Sequence, residues 1–256
     1  MMMLPPAVMS ALIVIFGLLI GSFLNVVIHR LPLEQSIVSP GSHCPHCGNA
    51  VRWYQNIPLI SYLFLRGKCA NCAAKIHWRY PLVEFLTGVM FLIAFRGSID
   101  IAQFRIWFFI AIGIAITFID LDHRIIPDEL SLGGWAVGLL TAYWDFRNGF
   151  GHLLLASFVG FGFFWLLSAA YEKLRNAEGL GFGDVKFMGT IGAFTGFGGI
   201  WSSLLISSIL GVVVGLVVAR LSKSEDMMKT AIPYGPFLVV GAVIEQLYEV
   251  SKWMNI

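Results

Sequence analysis

Two kinds of residue in this chain have the types and spacing for chemistry: four clustered cysteines, and a few carboxylates at the ends of apolar runs. The stretches HCPHCGN and KCANCAAKI place Cys44, Cys47, Cys69 and Cys72 as C-x2-C-x21-C-x2-C. Four thiolates in a tetrahedron suit Zn²⁺ and leave no open position for water, so such a site is structural rather than catalytic. The gap slightly exceeds the usual upper limit of about 20 residues for this pattern. A redox dithiol and plain packing cysteines are the competing readings. Zinc is preferred, because both pairs share one spacing and the chain has no other cysteine. His43, His46 and His77 lie nearby but are not needed to complete four ligands.

The carboxylates of interest lie in FIDLDHRIIPDEL, residues 118–130, and in GFGDVK, residues 181–186. Asp120 closes one apolar run and Asp184 opens another. Ionisable groups at membrane depth are functional candidates by default. Two neighbouring carboxyls do not both ionise readily, so one activates water while the other, protonated, polarises a carbonyl. Helix-end electrostatics favour Asp184 as the ionised base, at a helix start beside Lys186. They favour Asp120, at a helix end beside Asp122, as the protonated acid. The plainer reading keeps Asp122, Asp128 and Glu129 as loop acids beside Arg124, with Asp128 capping a helix that begins near Glu129. Asp184 is then only a dipole-stabilised N-terminal charge. A carboxylate pair in a membrane would serve a transporter's proton or ion site equally well.

The elements that position these groups follow from composition. Of 256 residues, 57% are hydrophobic and only 12% charged, against about 25% charged in soluble domains. The expected fold is an all-α polytopic membrane protein. The net charge of +2 gives no reason to expect a nucleic-acid partner. Apolar runs occur at 7–28, 80–95, 104–119, 130–144, 151–171, 200–219 and 234–250. A shorter one, Val185 to Phe197, ends at Gly198 and Gly199 and rises only about 20 Å of a roughly 30 Å hydrocarbon core. Together they predict about eight transmembrane helices. The first run has no Lys or Arg ahead of it and is long enough to span, so it reads as a retained helix rather than a cleaved signal.

Orientation follows from Lys and Arg. With the N-terminus outside, Arg30, Arg52, Arg66, Lys68, Lys75, Arg79, Arg124, Lys173, Arg175, Lys186, Arg220, Lys223 and Lys229 face inward. Only Arg96, Arg105, Arg147 and Lys252, of 17 basic residues, face outward. This is the positive-inside pattern. It makes residues 30–79 a cytoplasmic zinc-knuckle loop, in a compartment that disfavours disulfides, and puts Asp120 and Asp184 at the cytoplasmic face. The division expected is residues 1–29 as the first transmembrane helix, 30–79 as the cysteine loop, and 80–256 as the membrane catalytic domain.

The motifs GSFLNVVIHRLP, CPHCGN, NIPLISYLFLRGKCANC, RYPLVE, DLDHRIIPD, GFGDVK and IPYGPF occur in the order seen in bacterial type IV prepilin peptidases. The resemblance runs from about Gly21 to Gly241. It implies a bifunctional inner-membrane enzyme of the type IV pilus and type II secretion systems. Such an enzyme cleaves the basic leader of prepilins and pseudopilins at the cytoplasmic face, then N-methylates the new terminus with S-adenosylmethionine. The resemblance puts the catalytic aspartates on Asp120 and Asp184, and methyl transfer in the half that carries residues 30–79. Gln55 departs from relatives that carry an acid there. Asp122, Asp128, Glu129 and Glu178 are candidates to attract the leader, and Pro233, Gly235 and Pro236 to shape the site.

Overall fold

The computed structural model describes residues 5–145, 149–175, 180–221 and 233–254; Glu178 and Arg147 lie outside them. Among the described residues there is no strand. The α-helices are α1 Pro6–Arg30, α2 Ile60–Phe64, α3 Arg79–Ile93, α4 Ile101–His123, α5 Asp128–Thr141, α6 Phe150–Arg175, α7 Phe182–Leu221 and α8 Gly235–Met254. Among the described residues four stretches, Pro6–Leu33, Ile101–His123, Phe150–Leu174 and Phe182–Val218, are long and apolar enough to cross a membrane. The chain divides into two compact units, Met1–Phe95 and Arg96–Ile256.

In the first unit α1 and α3 form an antiparallel hairpin, and its register is set by small residues. A Cβ on Gly17 would lie 2.7 Å from Gly88 Cα, and one on Gly21 would lie 2.7 Å from Glu84 Cα. These two glycines form a GxxxG pair, the spacing that lets membrane helices approach backbone to backbone. One turn further on, Asn25 Nδ2 donates to the Tyr80 carbonyl at 3.0 Å. The hairpin therefore brings Arg30 and Arg79 to one end, and the cysteine loop leaves and returns there.

In the second unit α4 is the central helix. Phe109, Ile112, Ile116 and Ile119 are buried, with Phe187, Met188, Ile191 and Phe194 of α7 and Leu238 and Val239 of α8 in the same core. Outward residues on α6 and α7, such as Phe158, Leu166, Trp201 and Ile209, are apolar and exposed, as expected of helices that face lipid.

The helix α7 is broken at Gly196, whose φ of 68° and ψ of −159° are not helical. A Cβ on Gly160 of α6 would lie 3.0 Å from Met188 O and 2.9 Å from Ile200 Cδ1. Along a straight helix those two residues would be about 18 Å apart, so the chain folds back at Gly196. The sequence reading ended this run at Gly198 and Gly199. The pivot is instead Gly196, which carries the positive φ, while Gly198 and Gly199 are helical and pack against the Glu245 and Thr195 side chains.

Arg105 braces the two helix breaks. It is 4% exposed, and its guanidinium donates to Gly138 O at 2.5 Å, to Thr141 Oγ1 at 2.8 Å and to Ala193 O. Ala193 lies one turn before the non-helical Gly196. At the end of α5 the Ala142 N–H goes to Leu139 O instead of Gly138 O. Arg105 thus serves a carbonyl beside each helix break, with Asp145, 2% exposed, as a counterion at 3.6 Å.

Candidate active site and metal centre

Asp120 sits in the last turn of α4, which closes when the Arg124 N–H donates to the Asp120 carbonyl at 2.9 Å. Arg124 is left-handed there, with φ 57°, which turns the chain into the short connection to α5. The Asp120 side chain is 5% exposed. Its Oδ2 accepts the Gly235 backbone N–H at 2.8 Å. That amide belongs to the first residue of α8, where N–H groups lack intrahelical acceptors and the dipole is positive. A Cβ on Gly235 would lie 2.9 Å from the same oxygen and 3.3 Å from Ile126 Cδ1. Glycine is needed at that position for close approach.

Asp184 lies in the first turn of α7, half-buried. Its N–H donates to Gly181 O at 3.0 Å, and its Oδ2 would lie 3.1 Å from a Cβ on Gly181. Gly183 rests on the α4–α5 connection, where an added Cβ would come 3.0 Å from Ile126 Cβ. Ile126 is thus wedged between Gly183 and Gly235, joining three distant motifs. Ile126 so links the segment that carries Asp184 to the Gly235 amide that Asp120 holds.

Lys186 is not directed at Asp184, as its position in sequence suggests. It pairs with Asp128 at 2.6 Å and lies 4.7 Å from the centre of the Phe182 ring. Asp128 is correspondingly not a helix cap: α5 begins at Asp128, its N-cap is Pro127, and no side chain caps it. The ion pair ties the α4–α5 connection to the start of α7. Asp122, in the last turn of α4, and Asp128 and Glu129, in the first turn of α5, are exposed; they are helix-end acids rather than the loop acids expected from the sequence.

The cysteine loop is built from two copies of one turn. In the first, the Cys44 N–H donates to Asn49 O and the Gly48 N–H to Cys44 O, each at 2.9 Å. In the second, the Cys69 N–H donates to Ala74 O at 2.8 Å and the Ala73 N–H to Cys69 O at 3.0 Å. The residue after each second cysteine has positive φ, 71° at Gly48 and 56° at Ala73. The paired turns hold all four Sγ atoms within 4.8 Å of one another, with Cys44 and Cys72 at 3.8 Å. Tetrahedral thiolates on Zn²⁺, with bonds of about 2.3 Å, sit about 3.8 Å apart, so the cluster is of the right size and donor type for that ion. Backbone N–H groups of Cys72 and Asn71 lower the Cys69 thiol to about 6, while Cys72, despite the Ala74 N–H, is pushed up to about 11 by burial and its neighbouring thiols.

The structure brings Asp120 and Asp184 into one unit and gathers the four cysteines into one cluster. It leaves His43, His46 and His77 outside that cluster. Among Pro233, Gly235 and Pro236, Gly235 is the one whose backbone touches a candidate carboxylate. Sequence reasoning missed the brace at Arg105, whose only signal was a charged residue inside an apolar run.

Comparison with known proteins gives two family matches. Residues 15–97 match the bacterial peptidase A24 N-terminal domain, and residues 107–216 match the type IV leader peptidase family. A Myxococcus xanthus protein is 39% identical over 207 residues, which are 80% of this chain and 61% of that one. A Stutzerimonas stutzeri protein is 33% identical over 91% of this chain and 89% of its own. A Pseudomonas aeruginosa protein is 32% identical over 92% and 89%. All three are named prepilin leader peptidase/N-methyltransferase. No solved structure matches. With two of these relatives matched over 89% of their own length and the two family domains side by side, the chain belongs to the type IV leader peptidase family of enzymes.

Proposed function

We propose that the chain cleaves the leader of prepilin-like proteins at the cytoplasmic membrane face, with Asp120 and Asp184 as the catalytic pair. The observation that carries this reading is the Gly235 N–H held on Asp120 Oδ2 at 2.8 Å, at the point where the DLDH, GFGD and YGPF segments meet. The same contact supports roles opposite to those expected from helix ends. A backbone donor at a helix N-terminus stabilises an anion, so Asp120 is the carboxylate and Asp184 the protonated partner. Asp120 takes a proton from water as the oxygen attacks the scissile carbonyl carbon, while Asp184 hydrogen-bonds the carbonyl oxygen. When the tetrahedral intermediate collapses, the C–N bond breaks and Asp120 returns its proton to the leaving amine.

The reading carries the rest of the architecture with it. Residues 1–29 form the first crossing, residues 30–79 a cytoplasmic loop with one structural Zn²⁺ on Cys44, Cys47, Cys69 and Cys72, and residues 80–256 the membrane peptidase domain. The fold-back at Gly196 supports counting α7 as two segments, for eight crossings in all. The names of the relatives support N-methylation of the new terminus from S-adenosylmethionine. In the first unit the buried carboxylate Glu84 is already engaged by the Leu59 N–H and Ser22. Methyl transfer is therefore proposed as a reaction, with no residue assigned to the donor.

The test is incubation of purified protein with a synthetic prepilin leader peptide, with and without methyl donor, read by mass. Cleavage that survives in either Asp120→Asn or Asp184→Asn overturns the pair. Reporter fusions at Asn49 and Gly97 should read cytoplasmic and periplasmic respectively; the reverse readings overturn the orientation.

A further inference from the structure

The stretch from Ile57 to Lys68 is the least soluble-looking part of a loop read as soluble. Ile60, Leu63 and Phe64 of α2 are 52%, 73% and 84% exposed, and their i, i+3, i+4 spacing puts them on one face. The opposite side is fixed: Ser61 is buried, accepts the Ile57 N–H at 2.9 Å, and donates to Tyr54 O at 2.9 Å. Trp53 and Trp78 are also exposed, and they are aromatics of the kind that gather at membrane interfaces. Apolar side chains standing out from a charged loop need a cover.

What covers them follows from depth and charge. The Leu59 N–H, one residue before α2, donates to Glu84 Oε2 at 2.8 Å. Glu84 is level with Gly21 of α1, inside the candidate span Pro6–Leu33 and about 13 Å along the helix from Arg30. The start of α2 is therefore pinned against the hairpin at a depth where lipid surrounds it. Arg52, Arg66, Lys68 and Lys75 are exposed around it, and Glu34 is the only acid between Arg30 and Arg79.

We propose that residues 57–66 form an interfacial foot. Its Ile57, Ile60, Leu63 and Phe64 face lies in the leaflet where α1 ends and α3 begins, and Arg52, Arg66 and Lys68 engage the phosphates of anionic lipids. The foot holds the cysteine loop against the membrane surface. This inference rests on the membrane reading of α1 and α3, not on the peptidase assignment.

The test uses the full chain in nanodiscs, without prepilin, with a photoreactive benzoylphenylalanine in place of Phe64 and the adducts identified by mass. Phe23, which is 48% exposed on α1, carries the same probe as a positive control. The expected result is a lipid adduct at position 64, with yield rising about fivefold from phosphatidylcholine to phosphatidylglycerol discs. Arg52→Glu with Arg66→Glu should remove that preference while leaving the Phe23 adduct unchanged. A lipid adduct at position 23 with none at 64 overturns the proposal, as do equal yields in the two lipids. In a second arm with prepilin added, transfer of the adduct from lipid to prepilin makes the face a substrate site and overturns it too.

Discussion

The amide of Gly235 lies 2.8 Å from Oδ2 of Asp120, joining the start of α8 to the end of α4 across 115 positions of sequence. This bond buries a carboxylate and supplies it with a donor that cannot be removed by changing a side chain. Access to it is controlled by the missing Cβ. Gly235→Ala would put a methyl group 2.9 Å from the carboxylate oxygen and push Asp120 off its donor. We expect leader cleavage to fall by about 10- to 100-fold, the scale of an ångström's misplacement. Circular dichroism should still show a folded helical protein. Wild-type kcat/KM in this variant would mean that the contact does not position Asp120.

The Lys186–Asp128 pair should matter less than its place in GFGDVK suggests. At 2.6 Å it is close, but the Asp128 side chain is 58% exposed, and such pairs contribute about 0.2–1 kcal/mol. Lys186→Met is expected to lower kcat/KM by a few-fold, with the loss greater at low salt. Asp184→Asn should leave no measurable cleavage. If Lys186→Met is as inactive as Asp184→Asn, then Lys186 takes part in the chemistry itself.

Much of this was legible in the chain because it is local. Apolar runs, charges at their ends and paired cysteines are each visible within a few residues, and Asp120, Asp184 and the cysteine cluster were found that way. The partners were not, because they depend on which helices meet. Nothing near Asp120 announces Gly235, and nothing near Gly17 announces Gly88. Helix-end electrostatics, read from one helix at a time, omit the Gly235 donor for the same reason: Asp120 ends its own helix but faces the start of another. Gly196 was hidden among Gly192, Gly198 and Gly199, since only backbone angles distinguish a pivot from a packing glycine.

The metal centre makes a prediction that separates ligands from turn geometry. Purified protein should carry about one zinc per chain, and Cys47→Ser should lose most of it, because a closed site needs all four thiolates. Ala73 has a φ of 56°, a conformation costing about 1–2 kcal/mol for a residue with a Cβ. Its counterpart in the other turn is Gly48. Ala73→Gly should therefore retain zinc and resist chelators longer than wild type. Faster zinc loss from Ala73→Gly would mean the two turns are not equivalent.

The last prediction concerns the brace at Arg105. A buried guanidinium is expensive to desolvate even when paired, so its value lies in what its donors do. Here they serve Gly138 O, where α5 ends, and Ala193 O, where α7 turns back. A single ammonium cannot span both carbonyls and the Asp145 carboxylate, because it lacks the planar fork. Arg105→Ala should destabilise the second unit by about 3–5 kcal/mol, because it takes a charged partner away from the buried Asp145 carboxylate. Asp145→Asn should cost less, since the amide still accepts a hydrogen bond. A double variant, Arg105→Met with Asp145→Leu, should recover part of the loss by removing both charges. It should not reach wild type, because the two carbonyls lose the guanidinium donors. Denaturant unfolding in mild detergent measures the energies, and amide exchange at Phe197 and Gly198 reports on the fold-back itself. Wild-type stability and exchange in Arg105→Lys would show that charge alone suffices and that the forked contact to the two helix breaks does not hold the turn.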